Sequence, residues 1–346
     1  MRKLALAIGV IGVLALGLGA ALSGRPAPRA ALPERRGSRI TDARSWGYQL
    51  QGPRTDRLAD GIDVLVIDYS SDGSAGKVFA PAAVDAFRRR ADGRSRIVLA
   101  YLSAGEAETY RYYWQPRWRQ APPAWLGVEN TEWRGNYHVR YWAPEWQRII
   151  VAPARTRLDA LREIVDPARV PYIDRILEAG FDGVYLDRID AWSDIGKGRP
   201  GAADDMIRFV AAISAYAKAR KPGFMVVAQN GEELLQRADW RRNLDAVAKE
   251  DLFYGVAGAE QPNDADEVAR SIRLLDRAKA DRLPVFVVEY LSADPLRRAA
   301  RARIAERGYI PLFATRELNA PPELLEPADE VRPATDRAPT RRVPQR

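Results

Sequence analysis

The chain has 346 residues, 47% of them apolar, and a formal net charge of +8, enough for one large barrel of roughly 250 residues plus tails. Cysteine is absent and His138 is the only histidine, which excludes disulfides, thiolate chemistry and multi-histidine metal sites. The positive charge lies in the tails, +6 over residues 1–44 and +2 over 327–346, so residues 45–326 are neutral and charge gives no reason to invoke nucleic acid.

At the N-terminus, Arg2 and Lys3 precede an apolar run from Leu4 to Leu22, and Ala21-Leu22-Ser23 offers small residues for cleavage. This layout predicts an export signal over residues 1–23, either removed or kept as a membrane anchor. Without cysteine, a lipid-modified anchor is excluded. Residues 24–44, rich in Pro, Arg and Ala, read as a linker, and residues 319–346 read as a disordered tail of similar composition.

Between the tails, residues 45–318, eight short apolar runs alternate with helical patterns. The runs are Trp46–Leu50, Val64–Ile67, Ile97–Leu102, Gly183–Leu186, Met225–Ala228, Ala246–Lys249, Pro284–Val288 and Tyr309–Phe313. Helices are expected over Ala82–Arg90, Tyr172–Ala179, Asp204–Ala219, Ala265–Ala280 and Pro295–Arg307. Strand–helix alternation points to a parallel sheet, because parallel strands need crossover connections. Eight such units favour an α/β fold closed as a (β/α)8 TIM barrel over a doubly wound sheet. No glycine-rich phosphate fingerprint follows the first strand, which weakens the nucleotide-binding alternative.

The connection between the third and fourth runs is long and holds six of the nine tryptophans: Trp114, Trp118, Trp125, Trp133, Trp142 and Trp146. An insertion of this length carries its own structure or a function. About half of these rings are expected to pack it onto the barrel. One or two are expected to stack on the apolar face of a sugar.

In a barrel, the residues just past each strand line the catalytic face. Here they are Asp68-Tyr69, Tyr101 with Ser103 and Glu106, Asp187-Arg188-Ile189-Asp190, Gln229-Asn230, Glu250-Asp251 and Glu289-Tyr290. Alternation puts Gly183, Tyr185 and Asp187 on the inward face, with Val184 and Leu186 outward. Ala246, Ala248 and Glu250 likewise share one face, so Asp187 and Glu250 point into one cavity from strands two apart. Asp72, Asp264 and Asp294 are better read as turn or helix-capping residues, Asp190 serves as a cap or supporting group, and Glu232-Glu233 begin a helix. His138, beside Tyr137 and Tyr141, reads as a surface or packing residue.

Two carboxylates in one cavity suit glycoside hydrolysis, one as nucleophile or base and the other as proton donor. That chemistry needs no metal or cofactor, and none is expected.

The segments IDYSSDG (67–73), LAYLSAGEAE (99–108), GFDGVYLDRIDAW (180–192), AQNGEELL (228–235), VAKEDLFYG (247–255) and VFVVEYL (285–291) resemble glycoside hydrolase family 114. The resemblance spans roughly residues 45–315. It implies a barrel that cleaves α-1,4-linked, galactosamine-rich polysaccharide inside the chain, with Asp187 as nucleophile and Glu250 as acid–base. Asp251 competes with Glu250 for the second role. By the same resemblance Asp68, Tyr101, Asn230 and Glu289 line the subsites. Tyr69, Glu106, Asp190, Asp251, Tyr254 and Tyr290, at or near strand ends, are further candidate substrate contacts. The expected partner is a polysaccharide, cationic if partly deacetylated, with any membrane contact confined to residues 4–22. A glycan-binding barrel without catalysis, or a hydrolase of another α-linked glycan, is the alternative.

Overall fold

The computed structural model describes residues 39–323, apart from 153–155, 157–162 and 164. The expected export segment, most of the linker and the tail beyond Glu323 lie outside the described residues. The strands are β1 (Trp46–Gln49), β2 (Val64–Ile67), β3 (Ile97–Ser103), β4 (Glu106–Glu108), β5 (Leu126–Glu129), β6 (Asn136–Val139), β7 (Gly183–Asp187), β8 (Met225–Gln229), β9 (Ala246–Glu250), β10 (Val285–Glu289) and β11 (Ile310–Phe313).

β1, β2, β3 and β7 to β11 form one parallel sheet in chain order. At the seam, Trp46 Nε1 donates to Ile310 O at 3.0 Å and Leu50 N donates to Leu318 O at 2.8 Å. The sheet curls into a (β/α)8 barrel. Its strands are covered on both faces, which explains why they read as continuous apolar runs with little alternation.

The two faces nevertheless form separate clusters. Trp46, Tyr48, Val66, Leu99, Tyr101, Tyr185, Ala248, Phe286 and Val288 fill the barrel. Leu65, Ile67, Val98, Val184, Leu186, Val226 and Val287 pack outward beneath the helices. Inside, Trp46 and Tyr48 lie 6.2 and 5.0 Å from the Tyr185 ring centre, and the small Ala246 and Ala248 leave room for them. Gly183 has no alternative: a Cβ there would stand 2.3 Å from Met225 O.

The outer layer includes helices Pro81–Arg88, Tyr172–Glu178, Ala202–Arg220, Ala265–Ala280 and Asp294–Glu306, each within two residues of its expected bounds. Asp264 caps its helix, accepting from Asp266 N at 2.9 Å and Glu267 N at 3.1 Å. Asp72 holds a turn by accepting from Ser74 N at 3.1 Å. Asp294 differs from expectation. It is the first helical residue, and the cap, Ala293, has no side-chain acceptor; its charge merely favours the positive end of the helix. Residues Ile40–Asp42, expected in the linker, form a 3-10 turn, and Ile40 and Ala43 are buried at the base of the barrel.

The long insertion builds its own small antiparallel sheet, in the order β4-β6-β5, followed by helix Pro144–Ile150. Trp118, Trp125 and Trp146 are buried. They form an edge-and-tilt chain, with Trp118 5.1 Å from Trp125 and Trp125 5.3 Å from Trp146. Such contacts add roughly 0.5–1.5 kcal/mol each beyond area burial. Trp133 is half exposed. The insertion is thus fixed to the barrel by packing, with some rings left at its surface.

Candidate active site

Five strands run one residue further than their apolar runs, so Ser103, Asp187, Gln229, Glu250 and Glu289 are their last residues. The ladder carries them: Ser103 pairs with Asp187, Glu250 with Val288, and Glu289 with Phe313. Directly after three adjacent strands the chain enters the left-handed region at a non-glycine residue, at Arg188 (φ 57°), Asn230 (φ 61°) and Asp251 (φ 50°). Each such residue costs on the order of 1 kcal/mol, and strain of this kind gathers at functional sites. The sharp exit frees the terminal polar side chains of β7, β8 and β9 at the barrel mouth.

Gln229 joins the two central acids. Its Nε2 donates to Asp187 Oδ1 at 2.9 Å and to Glu250 Oε2 at 2.6 Å. One nitrogen touching both oxygens places them no more than 5.5 Å apart, the sum of the two contacts. Asp187 also accepts from Tyr101 Oη at 2.7 Å and from Arg188 N at 2.6 Å. Glu250 accepts from Asn230 Nδ2 at 3.0 Å and from Tyr290 Oη, while its own N donates to Asn230 Oδ1 at 3.1 Å. The left-handed turn at Asn230 is what folds that amide back over Glu250.

The two carboxyls differ electrically. Burial raises both above their ordinary values. Asp187 is pulled back by the Tyr101 hydroxyl, the Arg188 amide and the Arg188 charge. Glu250 is pushed further by the neighbouring charge of Asp187 and reaches about 7. This asymmetry favours the charge on Asp187 and the proton on Glu250. A site with one ionised and one protonated carboxyl follows.

The structure brings several other expected residues to this mouth. Tyr101 and Tyr290 hydrogen-bond the pair directly. Glu106 stands 3.0 Å from Arg188 Nε and accepts from Asn130 Nδ2 at 2.9 Å. Asp190, at the rim, lies 3.5 Å from Arg188 Nη1. Asp251 turns aside and is held by Arg316 Nη2 at 2.8 and 3.0 Å, so Glu250 alone shares Gln229 with Asp187. Asp68 is buried in an ion pair with Arg111 at 2.7 Å.

Three expected contacts are placed elsewhere. Tyr69 is fully buried and packs edge-on to Tyr172 at 4.9 Å; one residue past Asp68, it has the outward phase of Leu65 and Ile67. Tyr254 is buried in the outer core. Glu289 is fully buried, in phase with the outward Val285 and Val287, and accepts from Phe253 N at 2.8 Å. It braces the 251–254 turn and does not line the mouth.

Burial raises Glu289 from 4.5 to about 8. Its folded value exceeds its unfolded value, so the stability it permits is complete below pH 4.5 and is lost as pH rises through about 8. Glu289→Gln keeps the acceptor and removes the titration. Thermal unfolding from pH 6 to 9.5 is expected to show a steeper decline for the wild type than for the variant. Parallel curves would contradict this.

Gln229, expected at the mouth only as a strand-end residue, gains its bridging role from the structure; it shares the inward phase of Val227. Arg188 ties Glu106, Asp190 and Asp194 together, at 3.0, 3.5 and 2.6 Å, and had no advance signal beyond its motif. Arg316 lies far from the pair in sequence, beyond β11. Among the described residues no group of His, Cys, Asp and Glu has the arrangement of a metal site.

Comparison with known proteins identifies the family and the fold. The chain is 35% identical over 284 residues to an uncharacterized protein, MJ1477, of Methanocaldococcus jannaschii, covering 78% of this chain and 75% of that one. It is 34% identical over 313 residues to an uncharacterized protein of Deinococcus radiodurans, covering 88% and 91%. The fold matches the glycoside hydrolase domain of PelA from Pseudomonas aeruginosa with a TM-score of 0.57 at 19% identity, over 82% of this chain and 98% of that domain. The model of glycoside-hydrolase family GH114 matches residues 27–337. With nearly the whole chain inside that match, this protein belongs to glycoside-hydrolase family GH114.

Proposed function

We propose that this glycoside hydrolase is an exported, endo-acting enzyme that cleaves α-1,4-linked galactosamine and N-acetylgalactosamine polymers with retention of configuration. The observation that carries the chemistry is the single amide of Gln229 held between Asp187 and Glu250. Retaining glycosidases keep their carboxyls about 5–5.5 Å apart, whereas inverting ones leave roughly 6.5–9.5 Å for a water. The shared Gln229 amide, which keeps one oxygen of Asp187 and one of Glu250 within 5.5 Å of each other, favours the closer, retaining arrangement.

In this mechanism ionised Asp187 attacks the anomeric carbon while Glu250 gives its proton to the departing glycosidic oxygen. The bond to the leaving chain breaks and a glycosyl ester forms on Asp187. Glu250, now ionised, takes a proton from water, whose oxygen displaces Asp187 and restores both groups. Tyr101 and Gln229 steady the Asp187 charge before attack and after release. Because Glu250 must begin protonated, kcat/KM is expected to fall as pH rises through about 7. A rate constant from pH 6 to 9 would contradict that assignment.

The test of function is direct. The protein is incubated with a partly deacetylated α-1,4-galactosamine polymer and the products are read by mass spectrometry. Release of oligosaccharides supports the proposal. Binding without release would instead make the protein a glycan-binding barrel.

A further inference from the structure

A second cavity, of about 420 Å³, lies between the β5–β6 hairpin and the turn that follows β7. Its walls include Val128, His138, Arg140, Trp142, Asp194 and Ile195. Both walls grow from strand ends on the catalytic side, β4 continuing from β3 and the turn from β7. The cavity is wired to the acid pair: Asp194 binds Arg188 Nη2 at 2.6 Å, and Arg188 N donates to Asp187 at 2.6 Å. His138 Nδ1 lies 3.6 Å from Glu106, the other partner of Arg188.

We infer that this cavity is a separate saccharide subsite that takes an N-acetylated, uncharged hexosamine unit of the polymer. The inference rests on the proposed glycan activity and names where a distal sugar is held. Its size lies in the range of small-ligand sites, about 300–1,000 Å³. Trp142 already carries Arg199 over one face, 4.7 Å from the ring centre, and packs against Tyr141, so the indole is held rigid beside the cavity. Val128 and Ile195 add an apolar surface suited to an acetyl methyl, and His138, Arg140 and Asp194 offer groups for hydroxyl and amide contacts. Asp194 is already neutralised by Arg188. The Arg140 guanidinium repels an ammonium, so a deacetylated unit gains nothing here.

His138 is the sole histidine in the chain, and its imidazole is therefore an unambiguous reporter of this cavity. The test uses full-length Asp187→Asn protein, which binds without turnover. It is titrated with the α-1,4 N-acetylgalactosamine hexasaccharide and with its fully deacetylated form. Calorimetry reads total binding and the imidazole NMR signals read the cavity. The acetylated hexasaccharide is expected to shift the imidazole saturably. Val128→Asp, at a position 73% exposed and so harmless to folding, is expected to weaken acetylated binding about tenfold or more. The deacetylated form is expected to leave the imidazole unmoved. Calorimetric binding of the acetylated chain with an unmoved imidazole overturns the subsite alone. Absence of any binding overturns the glycan reading with it.

Discussion

Asp187→Asn and Glu250→Gln are each expected to reduce glycan cleavage by about a thousandfold or more, from the loss of the proposed nucleophile and of the proposed proton donor respectively. Both replacements preserve shape, and the surrounding donors and amides can still hydrogen-bond. Neither variant leaves an unpaired buried charge, so both are expected to fold with melting temperatures close to the wild type. The two roles separate on a substrate whose leaving group needs no proton, such as an aryl glycoside. Glu250→Gln should then recover much of the first step, while Asp187→Asn should recover none. Equal recovery by both variants, or near-normal activity in either, would remove the assigned pair.

The second large effect is on stability. Arg111 is buried between Asp68 at 2.7 Å and Glu108 at 2.6 Å, with all three side chains at most 5% exposed. Tyr69 and Tyr110 lie 5.4 and 4.9 Å from its guanidinium. Burial raises the Asp68 carboxyl, and Arg111 opposes that rise. Arg111→Met keeps much of the volume and abandons two buried carboxylates to each other. Breaking such a pair costs about 3–5 kcal/mol, or a fall in Tm of roughly 6–15 °C for a domain of this size. The deficit should shrink in acid, where the stranded acids take up protons. Adding Asp68→Asn and Glu108→Gln to Arg111→Met should restore most of the loss. A single variant that melts within 2 °C of wild type would contradict the ionic account.

The barrel was legible because its strands are continuous apolar runs separated by helices, a pattern few other folds share. The Asp187–Glu250 juxtaposition was legible too, since Gly183-Val184-Tyr185 and Ala246-Val247-Ala248 differ enough in size to reveal their inward phase. Glu289 was misplaced for the converse reason. Val285-Phe286-Val287-Val288 is apolar at every position, so nothing in the run announces which face is inside. Position just past a strand does not fix phase, and Tyr69, in phase with the outward Leu65 and Ile67, lies outside the mouth for the same reason.

Other features were beyond reach. Arg111 meets Asp68 across 43 positions of sequence, and no local spacing marks that pair. The strands β4, β5 and β6 have three or four residues each, too short to carry a period. Gln229 was accessible in principle, two residues beyond Val227 on the inward face. Nothing in the identity of an uncharged amide marks it as the bridge between two acids.

The proximity of Asp187 and Glu250 makes a stereochemical claim that one measurement decides. Proton NMR of the anomeric signals, recorded during the first minutes of cleavage of an α-1,4-galactosamine oligosaccharide, reads the product before it mutarotates. Hydrolysis through a glycosyl ester on Asp187 releases the α-anomer first. Initial release of the β-anomer, or no new reducing end at all, would contradict the two-carboxylate mechanism drawn from this site.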